Sequence, residues 1–324
     1  MPMVSVGVPV FNGEKSILRC LEGLCNQTFQ PYEVIILDNC STDRTAEICL
    51  EFISNPPNFR YSRNISNIGG AENMNKALAS ASGDYFMWAA HDDFHDPDFI
   101  NACVNTLSSN PAAVLCNTGM NVCVDTISDI SFRVTMNTFR SQRSRVNRFK
   151  EVYLRFPSPS FYGLYRTDVI RYIKPIQPIL GAELFWALEL SLHGEFVSCD
   201  SFLFYYINSL TKKNEYENNG DLKPEFTTRV LNYSFRYAGY FGIVSGSELH
   251  PYEKFFLYSF LIRRAMGENV LRGFFTLLDL LFQNSPRIMT FLVKKFLINP
   301  NYLIDDSAKF EIREVPRILD RWKF

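Results

Sequence analysis

Two adjacent acidic residues, Asp92 and Asp93, follow an apolar segment that ends at Ala89. Like charges at one point repel and raise each other's pKa unless a cation lies beside them. Carboxylate oxygens, completed by phosphate oxygens and water, are ligands that Mg²⁺ and Mn²⁺ accept. The pair therefore predicts a divalent metal site. The simpler alternative is that these residues only cap the helix that follows.

His91 and His95 flank this pair and offer two further metal ligands, as in a His-Asp metallophosphohydrolase. Those enzymes carry their ligands on helices, whereas this acidic pair ends a predicted strand. The phosphohydrolase interpretation is therefore disfavoured.

Four strand-helix units must position these residues. Alternating apolar residues predict strands over Val4–Val10, Glu33–Leu37, Phe59–Ser62 and Tyr85–Ala89, each followed by apolar residues at helical spacing. Repeated units of this kind predict a parallel sheet with helices on both faces. Ligands bind beyond the carboxyl ends of such strands, and here all four ends carry polar or acidic residues.

The two most common phosphate-binding loops are missing from the sequence. No G-x-G-x-x-G follows the first strand, and no G-x-x-x-x-G-K-[ST] occurs anywhere. A dinucleotide dehydrogenase and a P-loop enzyme are thus disfavoured. Nucleotidyl transfer is disfavoured too, because Phe11-Asn12-Gly13 is not the Gly- and Lys-rich loop which that reaction uses.

Composition limits the class of protein. The 324 residues are 47% hydrophobic and 21% charged, enough apolar surface for a substantial core. The net charge of −1 supplies no field that would gather the protein onto nucleic acid. The first residues show no secretory signal, and no apolar run is long enough to span a membrane. We expect a cytoplasmic location, or a peripheral one on the cytoplasmic face of the membrane.

The eight cysteines stand singly in the sequence, and no two have the C-x-x-C spacing of a zinc or redox site. We expect reduced, mostly buried thiols.

Four segments together resemble the nucleotide-sugar-dependent family 2 glycosyltransferases of the GT-A fold, in the same order and spacing: residues 4–14, 33–43, 67–78 and 83–93. The resemblance covers about residues 3–207. It implies an α/β, Rossmann-like mixed sheet with helices on both faces. We therefore expect a GT-A domain over residues 1–210 and a C-terminal helical region over residues 211–324.

The resemblance also assigns roles by position. Around the donor, it implies that Pro9, Phe11 and Glu14 border the nucleotide, that Asp38 bonds the base, usually uracil, and that Asn67 and Gly69 lie by the ribose and diphosphate. Asp92 corresponds to the acid that binds Mn²⁺ or Mg²⁺ in the family. The family's Asp-x-Asp is incomplete here because Ala90 takes the first Asp position, which leaves Asp93 as a substitute ligand and metal dependence open.

Residues 181–194 resemble the family's acceptor-side helix, in which an acid near the start is the general base. Glu183 holds that position. The alternative is that Glu183 is only a first-turn acid, favoured by the exposed helix amides. Glu189, further along, is expected to be structural. Residues 157–168 are also similar to the family and would form a strand beneath the acceptor site.

Two further regions carry weaker signals. A basic run, which is typical of a solvated loop or of contact with an anionic acceptor or diphosphate, comprises Arg133, Arg140, Arg143, Arg145, Arg148 and Lys150. From Pro251 to Ile298, basic residues outnumber acidic ones in apolar helical segments, which suits a membrane surface. Such helices could equally cover the catalytic domain or pair two subunits into a homodimer.

The sequence thus predicts an inverting, metal-dependent, hexosyltransferase-like enzyme of polysaccharide biosynthesis. It would move a sugar from a nucleoside-diphosphate donor, most simply a UDP-sugar, to a hydroxyl of a glycan or lipid-linked acceptor. No nucleic-acid partner is expected. The alternative, for which Ala90 is the main argument, is a catalytically decayed protein that binds nucleotide sugars or glycans.

Overall fold

The structure, a computed structural model, describes residues 3–54, 56–139, 144–178, 181–207 and 226–265, with the backbone alone for 226–235. The chain divides into two compact units. One comprises Met1–Val152 with Phe156–Phe235, and the other Tyr153–Arg155 with Arg236–Phe324. The predicted domain boundary at residue 210 and the predicted linker Thr211–Asp221 lie outside the described residues.

The first unit alternates strands and helices. Its strands are β1 Val4–Val10, β2 Tyr32–Asp38, β3 Phe59–Arg63, β4 Tyr85–Trp88, β5 Phe94–His95, β6 Ala113–Cys123, β7 Ile130–Val134, β8 Leu164–Arg166 and β9 Glu195–Ile207. The helices along the chain are α1 Ile17–Cys25, α2 Thr45–Phe52, α3 Gly70–Ala79, α4 Phe99–Ser109, α5 Arg145–Arg155, α6 Thr167–Tyr172, α7 Ala182–Ser191 and α8 Phe226–Gly246, with a 3₁₀ helix over Ser158–Tyr162.

The nine strands among the described residues join one mixed sheet. The first four run parallel, as the sequence predicts, and the structure shows their order to be β3-β2-β1-β4. The sheet then continues through β8, which is antiparallel to both β4 and β6, so β6 and β9 run in the direction of β4. The register pairs Val10 with Asp38 and Asp38 with Arg63, so the first three strands end level with one another.

β1 is buried on both faces, as its central place in the sheet requires. Val4, Val6 and Val8 are fully buried, together with Val34 and Ile36 of β2. β6 is buried along all of its length, its polar residues included. This rigid sheet holds the loops at its carboxyl edge.

The prediction that the basic run forms a solvated loop is wrong for its second half. Arg145–Lys150 are not a mobile loop but the first turns of α5, and Arg148 is buried with its Nε donating to the carbonyl of Ser191 at 2.5 Å. Burial lowers the pKa of its guanidinium. Arg140 and Arg143 lie outside the described residues.

The second unit is helical where it is described. Residues 251–265 form a helix that buries Leu257 and Leu261, four residues apart, and exposes Tyr252, Phe255, Phe256 and Ile262. Among the described helices, none has the length and apolar character that crossing a bilayer requires. The predicted helices beyond residue 265 lie outside the described residues.

Candidate functional site

The loop after β1 is fastened to the loop after β2. The backbone amides of Asn12, Gly13 and Glu14 donate to the side chains of Ser41, Thr45 and Asp43, at 2.9, 2.8 and 3.0 Å. In return, the Glu14 carboxylate accepts from the amide of Arg44 at 3.1 Å. These reciprocal bonds connect the end of β1 to the start of α2 at Thr45, where the Asp43 carboxylate also accepts from the amide and hydroxyl of Thr45.

Two residues predicted to contact the nucleotide, Pro9 and Phe11, lie at this loop and are at least partly exposed. Phe11 leaves 43% of its surface exposed, and Pro9 is partly exposed at the end of β1. An exposed aromatic ring beside a strand end can cover one face of a base. Their predicted roles stay predictions.

Asp38 ends β2 fully buried. Its Oδ1 accepts from the amide of Ser41 at 2.8 Å, and its Oδ2 accepts from the Tyr61 hydroxyl at 2.6 Å. Arg63 lies 3.9 Å from the same Oδ2. Burial raises the pKa of the Tyr61 phenol, and the hydrogen bond to the Asp38 carboxylate raises it further. Both oxygens therefore serve the loop, and a contact with the base would have to share one of them.

We expect Asp38→Asn to lower the free energy of unfolding by on the order of 2 kcal/mol without any nucleotide present, because the amide nitrogen that replaces one carboxylate oxygen is a donor and cannot accept from Ser41 or Tyr61. Tyr61→Phe should cost about 1 kcal/mol. Urea unfolding measures both. Unchanged stability with a loss of nucleotide affinity would show that Asp38 faces the ligand instead.

Three asparagines connect the ends of β2 and β3, namely Asn67, which has a predicted role, and Asn39 and Asn64, which have none. The Asn39 amide donates to Asn67 Oδ1 at 2.8 Å, and Asn39 Oδ1 accepts from Asn64 at 3.0 Å and from the Ile68 amide at 3.0 Å. Asn67 Oδ1 also accepts from the amide of Gly69. The signal for Asn39 and Asn64 was their position directly after β2 and β3.

Gly69 is the N-cap of α3 with a φ of +85°, and no atom lies within 4 Å of where its Cβ would be. Open space beside a helix start with bare amides suits a phosphate group. The predicted diphosphate position of Gly69 is therefore accessible.

The two acids of the pair face different surroundings. Asp93 is 1% exposed, and its Oδ1 accepts from the amide of Ile207 on β9 at 3.1 Å. Asp92 is partly exposed, and its backbone carbonyl accepts from Arg19 at 2.7 Å. Asp93 thus ties the β4 end to β9, and Asp92 is the more accessible carboxylate.

A divalent cation such as Mg²⁺ or Mn²⁺ fits beside Asp92 only if substrate phosphates and water supply most of its ligands. Across the described residues, no three carboxylate, imidazole or thiol ligands converge at Asp92. Mg²⁺ and Mn²⁺ are often held by one or two carboxylates, with waters and substrate phosphates as the remaining ligands. Asp92 is therefore a fitting single anchor, and Asp93 is limited by its bond to Ile207.

His95 is not placed as a metal ligand. It packs against the rings of Phe99 and Phe204, with centroids 4.7 and 5.2 Å away, and burial lowers its pKa to about 3. His91 Nδ1 lies 3.0 Å from the Ser16 hydroxyl. The phosphohydrolase alternative therefore lacks one of its two histidines.

Glu183 lies in the first turn of α7, after Gly181 in the left-handed conformation with a φ of +80°. One turn later, Trp186 packs edge-on against Trp88 of β4 with centroids 5.4 Å apart, and Trp88 stacks on Phe161 at 4.8 Å. Trp88 precedes Asp92 by four residues. These rings therefore fix the start of α7 relative to the acidic pair.

The 3₁₀ helix that carries Tyr162 contacts both β4 and α7, the elements next to the three acids. The pKa of the Tyr162 phenol is raised by burial and then by the charges of Asp93, Asp92 and Glu183. Three carboxylates from two distant segments thus act on one phenol. Tyr162 stands in the segment that resembles the family, but no pattern around it indicates a role.

Glu189 and Arg133, two further residues considered from the sequence, make contacts of a structural kind. Glu189 accepts from the amide of Lys174 at 3.3 Å, a loop contact that suits a structural role. Arg133 donates to Asn121 at 3.0 Å and lies over the Phe202 ring.

Comparisons with known proteins agree with this arrangement. Chondroitin synthase of Escherichia coli is 38% identical over 106 residues, which are 32% of this chain and 15% of that protein, so the chain spans a small part of that relative. S. aureus TarS 1–349 in complex with UDP-GlcNAc has a similar fold, with a TM-score of 0.60 and 20% identity over 80% of this chain and 71% of that one. The mannosyltransferase PcManGT from Pyrobaculum calidifontis, in complex with GDP-Man and Mn²⁺, gives a TM-score of 0.50 and 14% identity over 86% and 81%.

The structural neighbours are GT-A glycosyltransferases, so the predicted fold class is confirmed. Residues 5–169, just over half of the chain, match the sequence family described as Glycosyl transferase family 2. That range contains the four strand ends, the acidic pair and Tyr162. With the sheet order and the family match in agreement, the chain belongs to glycosyl transferase family 2.

Proposed function

We propose that the protein is an inverting glycosyltransferase that transfers a sugar from a nucleoside-diphosphate donor, a UDP-sugar in the simplest case, to a hydroxyl of a glycan or lipid-linked acceptor. The observation that carries this proposal is the packing of Trp186, one turn after Glu183, against Trp88 of β4, which brings the start of α7 to the strand that precedes the acidic pair. Family membership of residues 5–169 supports it. We assign the catalytic chemistry to residues 1–210.

On the donor side, Pro9, Phe11 and Glu14 border the nucleotide, and Asp38 with the asparagine network shapes the base site. The exposed Asn67 and Gly69 lie by the ribose and diphosphate. Asp92 holds the Mn²⁺ or Mg²⁺, which when bound supplies positive charge against the leaving diphosphate.

On the acceptor side, Glu183 takes the proton of the acceptor hydroxyl. The acceptor oxygen forms a bond to the anomeric carbon while the bond from that carbon to the diphosphate oxygen breaks on the opposite face. The electron pair leaves with the nucleoside diphosphate, and the anomeric configuration inverts. General-base help contributes about 10²–10⁴ in rate, or roughly 3–5 kcal/mol.

A thermal-shift screen of UDP- and GDP-sugars, each with and without Mn²⁺, tests the donor class. A donor at a hundredfold excess over its Kd should stabilise the protein by about 2.7 kcal/mol. The stabilising donor is then incubated with Mn²⁺, and release of nucleoside diphosphate is measured. No stabilisation by any nucleotide sugar would contradict the proposal.

Ala90 favours a second function, a decayed protein that binds nucleotide sugars or glycans without transfer. Donor binding and release of nucleoside diphosphate, measured as above, distinguish this binding function from glycosyl transfer. Donor binding without any release of nucleoside diphosphate, even with saccharide acceptors present, would favour the binding protein.

The helix over residues 251–265 supports a peripheral contact with an anionic membrane surface, since exposed Tyr252, Phe255, Phe256 and Ile262 lie on a helix that also carries Lys254 and two arginines. We expect the protein to co-sediment with anionic liposomes at low salt. Phe255→Ser with Phe256→Ser should reduce the bound fraction several-fold. Full recovery of the protein in the supernatant would rule out membrane binding. The helix would then either cover the catalytic domain or pair two subunits into a homodimer, and light scattering would detect the dimer.

A further inference from the structure

Three thiols from distant parts of the chain meet beside the sheet. They belong to Cys103 on α4, Cys116 on β6 and Cys199 on β9, and their Sγ atoms all lie within 4.8 Å of one another. All three cysteines are free. Among the residues that the structure describes, this is the one group of three side chains with metal-ligand atoms so close together.

Each thiol is held by a well-packed element. Cys103 lies on the buried face of α4 with Phe99 and Leu107, at helical spacing of four residues. Cys116 pairs with Val197 of β9, and Cys199 pairs with Thr118 of β6. The helix and two hydrogen-bonded strands therefore bring the sulfur atoms together before any ligand arrives.

Each thiol also contacts a backbone carbonyl. The Sγ atoms of Cys103, Cys116 and Cys199 lie 3.8, 3.6 and 3.4 Å from the carbonyl oxygens of Cys116, Asn117 and Asn117. Cys199 is also partly exposed, which gives an ion a way in.

We propose that Cys103, Cys116 and Cys199 form a binding site for a thiophilic d¹⁰ metal ion, Zn²⁺ or Cu⁺. Thiolate ligands select these ions, whereas the carboxylates of the acidic pair suit Mg²⁺ or Mn²⁺. Cu⁺ can be held by the three sulfur atoms, and Zn²⁺ would add a water at the open side of Cys199. The ion would link α4 to β6 and β9, and its binding releases thiol protons to solvent. This inference does not depend on the proposed glycosyl transfer.

The test uses the full-length, reduced protein kept under argon. After equilibration with Zn²⁺ or with Cu⁺ and dialysis, bound metal is measured by mass spectrometry, and Co²⁺ is added separately as a spectroscopic probe. We expect one equivalent of Zn²⁺ or Cu⁺ per chain and a thiolate-to-cobalt charge-transfer band. The arm that retains metal identifies the ion.

Cys199→Ser and Cys116→Ser should each weaken metal binding at least tenfold and remove the charge-transfer band. Cys49→Ser is the matched control, because Cys49 is also fully buried but lies on α2, outside the thiol cluster. It should keep the full equivalent. Circular dichroism and urea unfolding without metal verify that each variant is folded, and Cys199, which is partly exposed, is the position least prone to disturb the core.

Less than a tenth of an equivalent of either ion in the folded parent protein would overturn the proposal. Metal lost from Asp92→Ala but retained by Cys199→Ser would also overturn it, since the ion would then be at the acidic pair. A folded Cys199→Ser variant that binds the ion with the parent's affinity would overturn it as well.

Discussion

Glu183→Gln should depress sugar transfer by at least about a hundredfold while donor affinity stays nearly unchanged. The amide keeps the size and hydrogen-bonding reach of the carboxylate, but it cannot accept the proton of the acceptor hydroxyl. The geometry behind this expectation is the first turn of α7, fixed against β4 by Trp186 and Trp88. Transfer kinetics and donor titration on the same preparation measure the two effects separately.

Glu189→Gln is the matched control for this experiment. Its carboxylate lies on the same helix but accepts from the amide of Lys174, so its loss should change stability slightly and transfer little. A Glu183→Gln enzyme that transfers sugar at the parent rate would show that another group is the base. The fold and the donor class would survive that result.

Asp92→Ala should abolish the part of donor binding that depends on metal. The carboxylate of Asp92 is the accessible one of the pair, and no described set of three ligands could replace it. Donor affinity is measured by titration calorimetry with Mn²⁺ and with excess EDTA. In the parent protein the two conditions should differ by at least about tenfold, or roughly 1.4 kcal/mol, and in Asp92→Ala they should coincide.

Asp93→Asn serves as the comparison, because Asp93 is buried and its carboxylate accepts from the amide of Ile207. We expect it to lower stability and to leave most of the metal dependence in place. Equal losses from both substitutions, or a parent protein whose donor affinity is unchanged in EDTA, would contradict the assignment of Asp92 as the metal anchor.

Much of the fold could be predicted from the sequence because local patterns determine it. The alternation of Val4, Val6 and Val8 follows from the two-residue period of a strand, and parallel strands separated by helices place their carboxyl ends at one edge. Asp38, Asn67 and Asp92 could be assigned to that edge for this reason, and the family resemblance supplied Glu183.

The tertiary structure decided what depends on distant segments. The Asp93 carboxylate accepts a hydrogen bond from the amide of Ile207, more than a hundred residues away in the chain, and buried Arg148 donates to the carbonyl of Ser191. The 3₁₀ helix that carries Tyr162 contacts both β4 and α7, two elements that are distant in the chain.

The cysteines show the limit most clearly. Their spacing contains no metal motif, because a motif of that kind requires ligands on one short segment. Cys103, Cys116 and Cys199 meet because α4 packs across two strands that are neighbours in the sheet but far apart in the chain. Sequence alone determined the residue types and the local elements, whereas strand order and helix packing, which arise from burying the whole apolar surface at once, decided which side chains share a site.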